Sequence, residues 1–149
     1  MPQMKSFKLS VVVPVYNRPE ELTALLSTLV DQTCAVDEVV VVEDGSVRDS
    51  SEVITQFAGQ LPLVYLTKPN TGPGDSRNFG MRHATGDYFI ILDSDCELPT
   101  GYIESIHQSL ALNPVDFFGG PDAAADEFSN MQKAISFSMT SFLTTGGVR

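Results

Sequence analysis

Four short apolar runs, each parted from the next by a helix-like stretch, constrain this chain more than any other feature of it. They are Leu9 to Val15 in "LSVVVPVYN", the run in "DEVVVVED", the weaker "LPLVYLT", and the start of "YFIILDSDCELP", Tyr88 to Pro99. Runs of this length, rich in β-branched residues and closed by turn residues, read as buried strands. After the first, Pro19 with Glu20 and Glu21 supplies a helix start, and Leu22, Leu25, Leu26 and Leu29 share one helical face. The pattern predicts further helices near Asp49 to Ala58, from about Asp75 to His83 with Gly86 as its stop, and within "LPTGYIESIHQSLALNP". In the last, Thr100 is the expected N-cap and Asn113 with Pro114 the stop. "VDFFGGP" offers a fifth strand, and Asp126 to Leu143 mixes apolar and polar residues without a clear period. Strands that alternate with helices pair in parallel through right-handed crossovers, so the expected fold is α/β, an open sheet with helices on both faces.

In such a sheet, ligands bind outside the carboxyl ends of the strands, where the strand order reverses. The chemistry-bearing residues fall at those ends: Tyr16 and Asn17, Glu43 and Asp44, a glycine loop, and Asp93 with Asp95. At 149 residues and 42% hydrophobic, the chain has material for one sizeable core, read as a single domain over 1–149. Its formal net charge of -10 disfavours a nucleic-acid backbone or an anionic membrane as partner, and leaves an acidic face that recruits a divalent cation. Cys34 and Cys96 stand alone, which suggests neither a disulfide framework nor a zinc cluster and fits a reducing, cytoplasmic setting. No run reaches the roughly 18 apolar residues a membrane span needs, and "MPQMKSFKLS" has no apolar signal core. A soluble chain is expected, with membrane association left to parts outside it.

If "LDSD" continues its strand, Asp93 and Asp95 point to the same side, about 6.5 to 7 Å apart at the backbone. Two carboxylates so placed repel unless a positive charge joins them. A hard cation such as Mg²⁺ or Mn²⁺ takes oxygen ligands and commonly shares them with substrate phosphates. The triplet alone is short, and a solvated turn explains it more simply. Asp44, in "VVEDGS", can accept from a ring N–H, which uracil and guanine carry and adenine and cytosine lack, although Asp-Gly-Ser is also an ordinary turn. Tyr16 could stack on a base or simply pack in the core. In "NTGPGDSRNFG" the glycines permit close backbone approach, and Arg77 could reach a phosphate or base or form a surface salt bridge. The spacing fits neither a Walker A loop, since Gly80 precedes Met81 and Arg82, nor the dinucleotide fingerprint, whose third glycine is Arg77 here. His83 and His107 lack partners at ligand spacing.

Taken in order, "LSVVVPVYNRPEELTALLSTLVDQT", "EVVVVEDGS", "NTGPGDSRNFGMRHATGDYFIILDSD" and "ELP" resemble the nucleotide-binding half of the family 2 glycosyltransferases of GT-A fold, over nearly all of Leu9 to Pro99. The resemblance implies a UDP- or GDP-sugar donor, UDP favoured, with Mn²⁺ or Mg²⁺, and inverting transfer to a hydroxyl of a glycan, a lipid-linked or another acceptor. By position it implies that Pro14 and Tyr16 line the base pocket, that Asp44 reads the base, and that Arg77 is the loop arginine. Asp93 and Asp95 match the Asp-x-Asp motif, Asp95 for the metal and Asp93 for ribose, with a share in the metal. The chain departs from the family at Glu43, where Asp is usual, and at Cys96, where another acid is usual, so weaker metal binding is expected. The family's catalytic base lies far downstream. Neither Asp122 nor Asp126 matches it, so no base is assigned; it is expected beyond Arg149, with the chain an N-terminal fragment of a longer enzyme. A sugar-nucleotide pyrophosphorylase would carry a basic glycine loop after the first strand, and a phospho-accepting receiver would begin with the "VVVVEDGS" strand; neither feature is present.

Overall fold

A computed structural model describes residues 7–119 together with Met131 and Lys133. The chain divides into two compact units, Met1–Pro114 and Val115–Arg149. The first contains β1 (Leu9–Val15), α1 (Pro19–Val30), β2 (Glu38–Asp44), α2 (Ser51–Phe57), β3 (Leu63–Lys68), α3 (Pro73–His83), β4 (Tyr88–Ile91) and α4 (Tyr102–Leu112). In the second, residues 115–119 form no strand, so the fifth strand expected at "VDFFGGP" is absent as far as Gly119. Met131 and Lys133 are helical; Asp122, Asp126 and the rest of the ambiguous segment to Leu143 lie outside the described residues.

The four strands form one parallel sheet in the order β3-β2-β1-β4. From β1 to β3 the chain steps one way along the sheet, then β4 returns to the other side of β1. Right-handed crossovers therefore put α1 and α2 on one face and α3 on the other, and make the β1/β4 boundary the switch point. Val12, Val40 and Val42 face α3, packed against Phe79, Met81 and Ala84. Val11, Val13, Val39 and Val41 alternate to the opposite face and are equally buried. The leucine stripe of α1 behaves as its period requires: Leu22, Leu25, Leu26 and Leu29 are all buried, each worth about 1.5–3 kcal/mol.

Three boundaries differ from expectation. Thr100 does not cap α4; Gly101 stands at the N-cap with no side-chain cap bond. The Thr100 carbonyl instead accepts from Thr33 N–H at 2.8 Å, tying the start of α4 to the end of α1. Helix α3 begins two residues early, at Pro73, whose missing N–H is no loss in a first turn. It ends at His83 with Ala84 already extended, so Gly86 is not its stop. A Cβ on Gly86 would lie 2.5 Å from Ser10 Oγ and 2.8 Å from Ser10 N, so the glycine serves close approach of the chain to β1.

Candidate functional site

The strand exits meet at one rim. β4 leaves the sheet opposite Val12, with Leu92 N–H donating to the Val12 carbonyl at 3.1 Å. Pro14, two residues on, turns its backbone the same way, past the end of β4, where its missing N–H breaks no ladder bond. The exits of β1 and β4 thus part at the switch point, and Tyr16 stands at the β1 exit 49% exposed, not in the core. Asn17 follows with φ 56°. Its N–H donates to Ser46 Oγ at 2.8 Å, and its Oδ1 accepts from Val47 N–H at 2.8 Å and Arg48 N–H at 3.0 Å, which binds the β1 exit to the turn after β2.

Glu43 and Asp44 end β2 and face opposite ways. Glu43 accepts from Ser46 Oγ, from Ser50 N–H at 2.8 Å and from Tyr65 Oη at 3.0 Å. Its length lets one buried carboxylate hold both the turn and the start of α2, so it is a framework residue. Burial and the neighbouring Glu43 charge push the Tyr65 phenol up, keeping it a donor. Asp44 is engaged as fully by the glycine loop. Its Oδ1 accepts from Lys68 Nζ and from Thr71 N–H at 3.0 Å, and its Oδ2 from Gly72 N–H at 2.9 Å. Burial raises the Asp44 pKa, but Lys68, the Thr71 and Gly72 N–H groups and Ser76 outweigh it and hold it below the usual carboxylate value. Gly45, at φ 70°, packs so closely that an added Cβ would meet Asn70 N at 2.6 Å. The turn and the loop are therefore one assembly.

Arg77, in the first half of α3, donates through Nη2 to Asp93 Oδ1. Asp93 and Asp95 do not continue the strand: β4 ends at Ile91, and Cys96 N–H donates to the Asp93 carbonyl at 3.1 Å, closing a turn over 93–96. The expected same-side spacing of an extended chain is replaced by a turn in which each acid meets a different arginine. Asp95 Oδ2 lies 3.6 Å from Arg18 Nη1, which also bonds Glu21 at 3.0 Å. Both acids are more than half exposed, so these pairs contribute at most about 1 kcal/mol each and yield readily. As a metal site, the turn offers two hard oxygen donors. Among the described residues no group of three or more His, Cys, Asp or Glu gathers, so a Mg²⁺ or Mn²⁺ ion fits here only with substrate oxygens completing its shell, the usual habit of such ions.

On the exit side of the sheet the structure pairs Arg77 with Asp93 and Arg18 with Asp95, ties Asp44 to Lys68 and the glycine loop, and leaves Pro14 and Tyr16 at the β1 exit, where Asn17 meets Ser46; Arg18, Asn17, Ser46 and Lys68 join the six expected residues there. Of these four only Asn17, a polar residue at a strand exit, was visible in the sequence; the others owe their place to pairings across 24 to 77 residues of chain. His83, exposed at the end of α3, lies tilted against Phe79, and His107 stacks on Phe7. Among the described residues no helix is long and apolar enough to cross a membrane.

Residues 10–147 match the family described as Glycosyl transferase family 2. Glycosyltransferase GlyA of Streptococcus pneumoniae is 30% identical over 83% of this chain and 18% of its own length. An uncharacterized glycosyltransferase of Haemophilus influenzae is 36% identical over 71% of this chain and 35% of its own. Among solved structures, S. aureus TarS in complex with UDP superposes with a TM-score of 0.69 at 27% identity, over 80% of this chain and 40% of that one, and the same protein is known in complex with UDP-GlcNAc. The chain thus spans well under half the length of each.

Proposed function

Because the chain belongs to glycosyl transferase family 2, with the GT-A fold of its structural neighbours, we propose that it forms the donor-binding part of an inverting glycosyltransferase that uses a UDP-sugar, or a GDP-sugar as the alternative. The family match leaves the pyrophosphorylase and receiver readings without support. The observation that carries the proposal is that the exits of β1, β2 and β4 place an exposed ring, an ionised acceptor and two exposed acids along one edge of the sheet at and beside the β1/β4 switch point, with Arg77 of α3 bonded to one of the acids. UDP and UDP-GlcNAc in the TarS complexes favour uridine donors.

In this reading Tyr16 gives the base a stacking face and Asp44 accepts its ring N–H, while Pro14 shapes the wall beneath. The Asp44 side chain is only 4% exposed beneath the loop, so base entry adjusts the backbone at Thr71 and Gly72, whose N–H groups now bond it. Arg77 moves from Asp93 to the diphosphate, a favourable exchange because a guanidinium binds phosphate with paired, charge-assisted bonds. Asp95, with Asp93, would hold the divalent ion. The chemistry such an ion supplies is stabilisation of the charge on the leaving diphosphate. The acceptor is a glycan, lipid-linked or other hydroxyl, and its activation belongs to a base expected outside these residues.

Calorimetric titration with UDP, GDP, CDP and ADP, in Mn²⁺ and in EDTA, tests the reading. UDP or GDP must bind more tightly than CDP and ADP, and more tightly with Mn²⁺ than with EDTA. Equal binding of all four would remove the base-reading role, and equal binding with and without the ion would remove the metal role.

A further inference from the structure

Lys68 ends β3 directly opposite Asp44, the last pair of the β2/β3 register. Its side chain is only 7% exposed and that of Asp44 4%. A buried ammonium is tolerated only when its donors are satisfied. Here Nζ reaches Asp44 Oδ1, Thr71 Oγ1, the Pro69 carbonyl at 3.1 Å and Asp75 Oδ2 at 3.4 Å. An ammonium has three N–H groups, so this lysine is fully engaged by its own chain and has nothing left for a substrate. It therefore differs from Arg18 and Arg77, whose exposed pairs can be exchanged.

The charge that Lys68 brings bears on what Asp44 can recognise. An ionised carboxylate only accepts, and so selects a base with a ring N–H; a protonated one also donates, and so pairs with the bare ring nitrogen of cytosine or adenine. Burial by itself favours the protonated form. The groups that face Asp44 are Lys68 from β3, Asp75 and Ser76 from α3, the latter two partly through Lys68 and the loop, and the Thr71 and Gly72 N–H groups. Glu43, its neighbour in β2, turns away to Ser50 and Tyr65. Among the described residues Lys68 is the only cation within ion-pair distance of Asp44. We propose that Lys68 is a positioning residue that sets nucleotide preference through Asp44, by holding its carboxylate charged and aimed so that a ring N–H is favoured over a bare ring nitrogen. This rests on the base-reading role of Asp44 proposed above.

The test compares UDP with CDP, which differ only on the edge in question, in excess EDTA from pH 5.5 to 8, for wild type, Lys68→Gln, Lys68→Arg and Asp44→Asn. Gln keeps a donor and most of the volume but removes the charge. Wild type and Lys68→Arg should prefer UDP across the range. In Lys68→Gln the UDP preference should fall toward the acid end of the range, where wild type and Lys68→Arg keep theirs, because burial without the opposing charge favours the protonated carboxyl. If Lys68→Gln weakens both ligands by one factor at every pH and leaves their ratio alone, Lys68 is structural and the proposal is overturned while the Asp44 reading survives. If wild type does not distinguish UDP from CDP and Asp44→Asn changes nothing, the Asp44 reading fails and takes the proposal with it. Should circular dichroism show that Lys68→Gln does not fold, the carboxyl carbon resonance of Asp44 in wild type decides: no titration between pH 5.5 and 8 is the expected result, and a titration inside that window overturns the proposal.

Discussion

Gly80 lies in the middle of α3, where a glycine ordinarily weakens a helix, yet the sheet leaves room for nothing else. A Cβ there would fall 2.5 Å from Val12 Cγ1 and 3.0 Å from Val42 Cγ2. Carbon atoms in good contact sit about 3.5–4.0 Å apart, so α3 would have to lift by roughly an ångström. Val12 cannot swing aside, because it is fully buried and β-branched residues have stiff χ1 angles. Overpacking of this kind costs about 1–3 kcal/mol, and two rigid methyl groups in the way put Gly80→Ala near the upper end. Against it, alanine gains about 1 kcal/mol of helix propensity, most of it unfolded-state entropy. The net expectation is a loss of about 1–2 kcal/mol, read as a lower urea midpoint at unchanged slope. Gly74, in the first turn of the same helix, has nothing within 4 Å of an added Cβ and no positive φ. Gly74→Ala should therefore gain about 0.4–1 kcal/mol. Opposite signs within one helix isolate packing from propensity. If Gly80→Ala is as stable as wild type or more so, the close approach of α3 to the sheet is not what demands the glycine. Because α3 carries Arg77, lifting it should also weaken UDP binding, while Gly74→Ala should leave the packing of α3 on the sheet undisturbed.

Asp95→Asn keeps the size of the side chain and removes the charge a hard cation needs; Mn²⁺-assisted UDP binding should fall by about 1–3 kcal/mol by calorimetry, with binding in EDTA unchanged. Asp44→Ala should narrow the UDP-over-ADP gap by about 1–3 kcal/mol in competition titrations, since the buried acceptor is gone. Gly45→Ala sets a side chain at φ 70° and 2.6 Å from Asn70 N, so about 1–3 kcal/mol of stability should be lost together with the loop's hold on Asp44. Glu38 links the start of β2 to Ser10 and to Thr85; burial raises its pKa, but these hydrogen bonds overcome the effect and the net shift is downward. A depressed carboxylate stabilises the fold fully above its unfolded value of 4.5 and loses that contribution as the pH falls through the lower folded value. Wild type should therefore show a steeper acid limb below about pH 4.5 than Glu38→Gln in a series of melts, and coincident limbs would refute the linkage.

The four strands of the sheet, the order in which helices intervene and the edge at which the strands end were legible in the residues, because burial periodicity and turn chemistry are local and parallel crossovers have one hand, whereas the strand expected at "VDFFGGP" does not form as far as Gly119. The stripe of leucines on α1 and the valine runs of β1 and β2 could hardly have folded otherwise. Register is not local. Nothing near Lys68 in the chain announces that it will stand across from Asp44; that follows from how β3 slides against β2, and a slip of β3 by one residue would turn Lys68 to the face opposite Asp44. The same holds for Gly80 and Gly86, which from sequence look like a helix flaw and a helix stop and in the fold are points of contact with Val12 and Ser10. Asp93 and Asp95 show the limit most clearly. Alternate acids after an apolar run imply an extended chain facing one way, but after Leu92 N–H bonds Val12 the next position on β1 is Pro14, which has no N–H to carry the ladder on. Once the ladder ends, the backbone closes a turn on the Asp93 carbonyl, and each carboxylate takes the arginine that α1 or α3 has brought beside it. Which polar residues end the strands was therefore written in the local sequence, and which charge each one faces was decided by strand register and helix placement.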